Sequence, residues 1–170
     1  MKILVTGAQG FIGKHLVLRF EELGYDILTF VKGDSDLEKK ISQADIVFHL
    51  AGVNRTEDLN AFKSINVDLT GRITRLIEKS NKVIPLIFSS STQALKDNPY
   101  GISKKQAEDL LMKWHKETQN PLFIFRLPGV FGKWSKPYYN TVVATFIDQL
   151  HQNKPLNIVD KDAKKNKGME

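Results

Sequence analysis

The sequence predicts an α/β protein built on a doubly wound parallel sheet of about five strands. Short, nearly continuous apolar runs alternate with segments of helical periodicity, and a glycine-rich turn joins the first run to the first helix. Continuous apolar runs are typical of strands that are covered on both faces. Their alternation with helices indicates βαβ units with right-handed crossovers. With 41% hydrophobic residues in a chain of 170, the sequence can form one substantial core.

Five runs are predicted as strands, at residues 3–5, 27–31, 46–50, 83–88 and 122–125. Four segments have helical periodicity, at residues 11–23, 59–78, 100–115 and 139–150. The segment between residues 34 and 44 is too short for a full helix and a further strand. We therefore expect one edge strand fewer than in a six-stranded doubly wound sheet.

The predicted domain covers residues 1–158, and a lysine-rich tail over residues 159–170 is expected to be disordered and solvated. Ile158 could begin another strand, but an apolar continuation is lacking. We predict one nucleotide-binding domain and no repeat.

Composition excludes several classes of function. The sequence contains no cysteine, which excludes disulfides, thiolate metal sites and cysteine nucleophiles and favours a reducing cytoplasm. We predict no metal site, and no apolar stretch is long enough for a membrane-spanning helix. The net charge of +6 suggests an anionic partner, either nucleic acid or a phosphate-rich cofactor or substrate. Because no nucleic-acid docking element is recognisable, we do not predict a nucleic-acid partner.

The turn at residues 6–13 has three glycines spaced G-x-x-G-x-x-G, between a predicted strand and a predicted helix. Glycine allows a tight turn and a close approach of the backbone to a pyrophosphate, and the helix N-terminus offers free N–H groups to that anion. The alternative is a tight turn without a ligand. In this context the pattern favours dinucleotide binding. The residues expected to contact the dinucleotide here are Gly7, Gln9, Gly10, Phe11, Ile12 and Gly13.

The end of the second predicted strand bears on the choice between NADP and NAD. An NAD site usually has an acidic residue there for the ribose hydroxyls, but this chain has Val31 and Lys32. A cation at this position could meet a 2′-phosphate, which favours NADP, or Lys32 could simply be solvated. Asp34 and Asp36 follow slightly later and keep NAD open as the alternative.

Tyr100 and Lys104 lie four residues apart at the start of a predicted helix and so share one face. A neighbouring ammonium should lower the pKa of the phenol and make the pair a proton-transfer device. A serine run ends at Ser91, at the carboxyl end of the fourth predicted strand, where ligands bind in open α/β sheets. A hydroxyl of this run could hold a carbonyl oxygen, or the run could be a polar strand exit.

Asn66 is a polar residue on the apolar stripe of the helix predicted for residues 59–78. A buried amide needs hydrogen-bond partners. It could therefore brace the backbone of the site or a water, or it could be satisfied locally within its helix.

These features together resemble the extended short-chain dehydrogenase/reductase family, also described as NAD-dependent epimerases and dehydratases, over about residues 1–158. The residues that carry the resemblance are residues 6–13, His49-Leu50-Ala51-Gly52, Asn66, Ser89-Ser90-Ser91 and Tyr100-x-x-x-Lys104. Longer strings, at residues 44–55, 97–101, 131–137 and 140–146, are similar to a branch of this family that makes capsular polysaccharide precursors. In related dehydratases an Asp-Glu pair follows the Ser/Thr position, and here Thr92-Gln93 stand instead, which argues against dehydration.

The resemblance implies a Rossmann domain that ends before the substrate domain, and NADPH-dependent reduction of the C4 ketone of a UDP-2-acetamido-2,6-dideoxyhexos-4-ulose. It implies Tyr100, Lys104 and Ser91 as catalytic residues, and Ser91 and Asn140 as substrate-binding residues. The cofactor residues that it adds to those of the glycine turn are Lys32, Leu50, Ala51, Gly52, Asn66, Lys104 and Pro128. A non-catalytic NAD(P)-binding module and an NAD-dependent nucleotide-sugar epimerase are the alternatives. A homodimer in the cytoplasm is a further expectation.

Overall fold

The computed structural model describes residues 1–139 and 141–156. Its core is a parallel sheet of five strands in the order β2-β1-β3-β4-β5. The strands are β1 Lys2–Thr6, β2 Asp26–Phe30, β3 Ile46–His49, β4 Leu86–Ser91 and β5 Leu122–Leu127. The prediction of a doubly wound parallel sheet of about five strands is confirmed, and within the described residues β2 and β5 form its edges.

Five α-helices connect or follow the strands. They are α1 Phe11–Glu22, α2 Leu37–Gln43, α3 Leu69–Lys79, α4 Pro99–Thr118 and α5 Val142–His151. A π-helical segment, Phe62–Asp68, leads directly into α3, and a 3₁₀ turn, Thr92–Leu95, links β4 to α4. The short helix α2 fills the connection between β2 and β3, which left no room for a sixth strand.

Alternating residues of β1 supply both faces of the sheet. Leu4 is fully buried in the larger core with residues of α2, α3 and α4. Ile3 and Val5 point to the opposite face, where Val17 and Phe20 of α1 pack. Because helices cover both faces, the strands have few positions for polar side chains.

Several predicted elements differ from the structure, and three of the differences have a local cause. The fourth strand begins at Leu86 rather than at residue 83, because Pro85 has no N–H to donate, and it continues through three serines that pair with β5. The helix predicted for residues 59–78 contains the π-helical segment, which periodicity does not reveal. The last helix begins at Val142, where the Thr141 side chain provides the N-cap.

The chain divides into two compact units, the first of them Met1–Pro128, and the second beginning at Gly129. In the second unit, Thr145 on α5 accepts a hydrogen bond from the Tyr138 N–H at 2.8 Å. The predicted domain end at residue 158 and the tail over residues 159–170 lie outside the described residues. Across residues 1–139 and 141–156, none of the helices has the length and apolarity needed to cross a bilayer.

Candidate functional site

In the glycine turn between β1 and α1, backbone segments approach each other so closely that side chains at two of the glycines would collide with backbone atoms. Gly7 has a φ of +71°, and a Cβ there would lie 2.7 Å from the Ala51 nitrogen. A Cβ on Gly13 would lie 2.2 Å from the Gly7 carbonyl oxygen. The Gly10 N–H donates to the same carbonyl at 2.9 Å, which closes the turn. Glycine is therefore required at Gly7 and Gly13 by the backbone itself.

The N-terminus of α1 remains available to an anion. Its N-cap is Gly10, which has no side chain to occupy the first N–H groups, and the first helical turn contains no acidic residue. A turn that only glycine can form, opening onto uncapped N–H groups, fits the pyrophosphate of a dinucleotide. The residues present thus fit the cofactor that the sequence predicts.

Ser91 and Tyr100 meet at the carboxyl edge of the sheet. Ser91 is the last residue of β4, and Tyr100 lies in the first turn of α4, whose N-cap is Asn98 and whose first residue is Pro99. The Ser91 hydroxyl interacts with the Tyr100 phenol and acts to lower its pKa. The 3₁₀ turn Thr92–Leu95 connects β4 to α4 and reverses the chain, so that Tyr100 lies near Ser91.

The pKa of Tyr100 moves opposite to the expectation from sequence. Burial raises the pKa of the phenol above its ordinary value, and the interaction with Ser91 offsets this only in part. The Phe62 ring contributes to the apolar surroundings, since its centroid lies 6.2 Å from that of Tyr100. The expected lowering by Lys104 is wrong for this structure, because the ammonium is engaged elsewhere.

Lys104 is 4% exposed and lies deep behind the strand ends. Its Nζ donates to the Ser89 carbonyl at 2.9 Å and lies 4.7 Å from the centroid of the Phe88 ring. Burial lowers the pKa of Lys104 to about 8, although the negative charge of Glu108 acts in the opposite direction. A Cβ on Gly52 would lie 3.2 Å from this Nζ, so the loop after β3 passes directly over the amine.

Asn66 braces that loop against α4. Its Oδ1 accepts from the Val53 N–H at 2.8 Å, and its Nδ2 donates to the Val53 carbonyl and to the Ser103 hydroxyl, both at 2.9 Å. The π-helical segment turns this amide inward, where it is 1% exposed. Of the two sequence interpretations, the geometry corresponds to bracing of the backbone.

His49, at the end of β3, is buried in a chain of hydrogen bonds. Its Nδ1 lies 2.7 Å from the Thr6 hydroxyl, and its Nε2 lies 2.9 Å from the Thr70 hydroxyl. Thr70 donates to the Asn66 carbonyl, and Thr6 accepts from the Ala51 N–H. These directions assign a neutral imidazole with its proton on Nε2. Burial, with a smaller effect of Lys104, lowers the pKa of His49 to about 3.

Lys32 lies at the end of β2, exposed, and forms none of the ion pairs in the described part of the chain. Asp34, by contrast, accepts from the Val31 N–H at 3.1 Å and pairs with Lys40 at 3.0 Å. Lys40 also pairs with Asp36 at 2.8 Å. Hydrogen bonds from Val31 and Lys40 lower the pKa of Asp34.

The remaining predicted residues fall around this edge of the first unit, with one exception. Pro128 follows β5 directly and is exposed, and Leu50 and Ala51 follow β3. Asn140 lies outside the described residues. Sequence reasoning missed two charged residues near the site, Glu108 and Arg126. The signal for Glu108 was its position one helical turn after Lys104, on the same face of α4.

The fold and the glycine turn together define a Rossmann-like α/β domain with a tyrosine, a lysine and a serine gathered at the edge where ligands bind. The chain belongs to the NAD dependent epimerase/dehydratase family, whose model matches residues 3–166. The family resemblance seen in the sequence is thereby confirmed.

Similar proteins include enzymes acting on UDP-sugars. The chain is 42% identical, over 166 residues, to UDP-2-acetamido-2,6-beta-L-arabino-hexul-4-ose reductase of Pseudomonas aeruginosa, covering 96% of this chain and 45% of the relative. It is 38% identical to the solved structure of the capsular polysaccharide assembling protein CapF from Staphylococcus aureus, with a TM-score of 0.79 and coverage of 96% and 45%. It is 26% identical to the uncharacterized UDP-glucose epimerase YtcB of Bacillus subtilis, over 93% of this chain and 65% of the relative. The chain thus spans about half the length of the first two proteins.

Proposed function

We propose that the chain takes part in the NADPH-dependent reduction of the C4 ketone of a UDP-2-acetamido-2,6-dideoxyhexos-4-ulose, in the synthesis of a capsule or surface polysaccharide precursor. The observation that carries the proposal is the interaction of Tyr100 with Ser91, at the same sheet edge as the glycine turn. Support for this substrate comes from the name of the Pseudomonas aeruginosa reductase, and support for a role in capsule synthesis comes from the name of CapF. The substrate, and the activity of the whole protein, belong to the proposal.

The cofactor would be held by groups distributed along this edge. Gly7, Gly10 and Gly13 leave room for the pyrophosphate against the N-terminus of α1, and Lys104 would reach the nicotinamide ribose. When bound, NADPH supplies the hydride that reduces the ketone carbon. The residues of the chain must then position the ketone and deliver one proton to its oxygen.

Tyr100 is the proposed proton donor. Because burial raises its pKa, the phenol stays protonated through the neutral range, as an acid that must protonate a developing alkoxide requires. Ser91, which interacts with the phenol, would orient the carbonyl oxygen toward that proton. The Ser91 hydroxyl, which acts to lower the pKa of the phenol, would also stabilise the phenolate that remains after transfer.

The preference for NADPH over NADH is proposed from the charges at the end of β2. Asp34 and Asp36 are the carboxylates that could accept hydrogen bonds from ribose hydroxyls, and Lys40 pairs with both of them. Lys32 is exposed and lies two residues after the strand, where a 2′-phosphate would be met. These charges favour a phosphorylated ribose.

The second candidate is an NAD-dependent nucleotide-sugar epimerase, favoured by the likeness to the Bacillus subtilis protein named as a UDP-glucose epimerase. The same tyrosine chemistry serves both, since each moves a proton at a sugar hydroxyl or ketone. The third candidate is a module that binds NAD(P) without catalysis. A UDP-sugar substrate, a homodimer and a cytoplasmic location are further parts of the proposal.

An assay that follows the cofactor and the sugar separately distinguishes these candidates. The purified chain is incubated with NADPH and the UDP-linked 4-keto sugar, and in parallel with NAD and UDP-glucose. The proposal expects one NADPH consumed for each ketone reduced, and no change of UDP-glucose. Interconversion of UDP-glucose and its C4 epimer, without net use of cofactor, would support the epimerase. Binding of NADPH without turnover of either sugar would support the non-catalytic module.

A further inference from the structure

We propose that Glu108 is a positioning residue of the proposed reductase, which clamps α4 to the ends of β4 and β5 and so holds Tyr100 and Lys104 in place. The inference rests on the proposed function for its kinetic readout. Its structural basis is a network of three side chains, in which the buried Glu108 and Ser90 meet the more exposed Arg126.

Glu108 is 4% exposed, and its carboxylate is saturated by charged and polar donors. The Ser90 hydroxyl donates to Oε1 at 2.5 Å. Arg126 donates through Nε to Oε1 at 2.9 Å and through Nη2 to Oε2 at 2.6 Å, a bidentate pair. Hydrogen bonds from Arg126 and Ser90 outweigh burial and lower the pKa of Glu108, so it stays ionised.

The two partners of Glu108 are themselves aligned by the sheet. Ser90 and Arg126 are paired in the parallel register of β4 and β5. Ser90 also immediately precedes Ser91, the residue that meets the Tyr100 phenol. A single carboxylate therefore joins α4 to a specific position of two strands, next to the reacting hydroxyl.

Because of the geometry of the helix, the contacts of Glu108 also determine the positions of Tyr100 and Lys104. Tyr100, Lys104 and Glu108 are spaced at intervals of four residues and share one face of α4. Fixing Glu108 against the strands fixes the rotation of that face and the distance of the helix from the sheet. A displacement of about 1 Å in such a group can cost on the order of a hundredfold in rate.

Glu108 also supplies the negative charge that acts on Lys104. The titratable groups that face the Lys104 amine are Glu108 on its own helix and His49 from β3. The neutral His49 contributes no charge. Removing the charge of Glu108 should therefore lower the pKa of Lys104 below about 8, because burial is then opposed by less negative charge.

Two substitutions separate charge from geometry. Glu108→Gln keeps the size and a hydrogen-bond acceptor but removes the charge, and Glu108→Asp keeps the charge but withdraws the carboxylate by one methylene. Glu117→Gln is the matched control, since Glu117 is exposed on the same helix and pairs with Lys113 at the surface. Melting temperature is recorded for each variant, so that activity is compared among folded proteins only.

We expect both Glu108 variants to lower kcat for keto-sugar reduction by about tenfold or more while changing the Kd for NADPH by less than about threefold. In Glu108→Gln the alkaline limb of the pH–kcat profile should move to lower pH, and in Glu108→Asp it should stay. Glu117→Gln should match the wild type. A wild-type kcat together with an unchanged alkaline limb of the pH–kcat profile in Glu108→Gln would overturn the inference. A loss of activity that is fully explained by a loss of folded protein would overturn it as well.

A second readout does not depend on turnover. The lysine side chains of the protein are isotopically labelled, and the NMR resonance of Lys104 is followed as a function of pH. That resonance is identified as the one that is absent from the spectrum of Lys104→Met. A lower midpoint in Glu108→Gln than in the wild type supports the charge coupling, and equal midpoints contradict it. If the wild type reduces no keto sugar, the proposed function fails, and this titration still decides whether Glu108 acts on Lys104.

Discussion

The side-chain amide of Asn66 donates to the Ser103 hydroxyl at 2.9 Å. It also accepts a hydrogen bond from the Val53 N–H and donates one to the Val53 carbonyl. Ser103 in turn donates to the Tyr100 carbonyl at 2.7 Å. The loop after β3 and the first turn of α4 are therefore joined through one buried amide. Because that loop passes over Lys104 and that turn carries Tyr100, the two halves of the candidate site are held as one unit.

Substituting Tyr100 by Phe removes the proposed proton donor and leaves the ring. We expect Tyr100→Phe to abolish keto-sugar reduction and to leave the Kd for NADPH nearly unchanged, because the phenol donates to substrate rather than to cofactor. Steady-state kinetics and a binding titration measure the two effects. Tyr25→Phe, at the opposite edge of the sheet before β2, is the matched control and should behave as wild type. Unchanged turnover in Tyr100→Phe would contradict the mechanism.

Reversing the charge at the end of β2 tests the cofactor preference. Lys32→Asp replaces the cation proposed to meet the 2′-phosphate with an acceptor for ribose hydroxyls. We expect the ratio of NADPH to NADH affinity to fall by about tenfold, equivalent to about 1.4 kcal/mol. Calorimetric titration with each cofactor measures the ratio. Lys116→Asp makes the same charge change on the last turn of α4 and should leave the ratio alone; equal effects of the two variants would remove the argument for NADPH.

The glycine turn offers a steric test. In Gly13→Ala the new methyl would lie 2.2 Å from the Gly7 carbonyl oxygen, so the turn must open. We expect lost dinucleotide binding and a free energy of unfolding lower by roughly 1–3 kcal/mol. Urea denaturation and cofactor titration measure these quantities. The control is Gly129→Ala, since a Cβ there has no heavy atom within 4 Å. Normal binding by Gly13→Ala would show that the turn does not hold the cofactor.

The buried imidazole of His49 predicts a specific loss of stability in acid. Its pKa is about 3 in the folded protein against 6.5 ordinarily, so between these values the unfolded chain binds the extra proton. The free energy of unfolding should therefore fall by about 1.4 kcal/mol per pH unit as pH drops through this range.

His49→Gln lacks the titrating group, so the stability gap between wild type and variant should narrow as pH falls from 6.5 toward 3. Urea denaturation at several pH values measures the gap. The exposed His151 provides the control, because His151→Gln should keep the wild-type slope. A gap between wild type and His49→Gln that stays constant with pH would contradict the assignment of a neutral His49.

Much of the fold follows from patterns that act locally. The apolar runs specify five buried strands, and the glycine spacing specifies a turn whose collisions with side chains the structure makes explicit at Gly7 and Gly13. The missing edge strand was predictable from the shortness of the connection now filled by α2.

What sequence reasoning missed depends on contacts between distant residues. The partners of Asn66 lie 13 and 37 residues away, so periodicity marked the residue as unusual without showing what it holds. The pKa of Tyr100 was predicted in the wrong direction because spacing along a helix does not reveal burial, nor that Lys104 turns to the Ser89 carbonyl. The Glu108 network needed the register of β4 and β5, which the sequence does not state.

The most direct test of the central claim is a thermal-shift titration of the chain with NADPH and, separately, with NADH. A ligand that binds only the folded state raises the melting temperature, and at a given concentration the tighter ligand raises it more. The account predicts a rise that increases with NADPH concentration, is larger than with NADH and is absent in Gly13→Ala. A cooperative melt that neither cofactor shifts would contradict it, because the glycine turn would then be a fold element without a ligand.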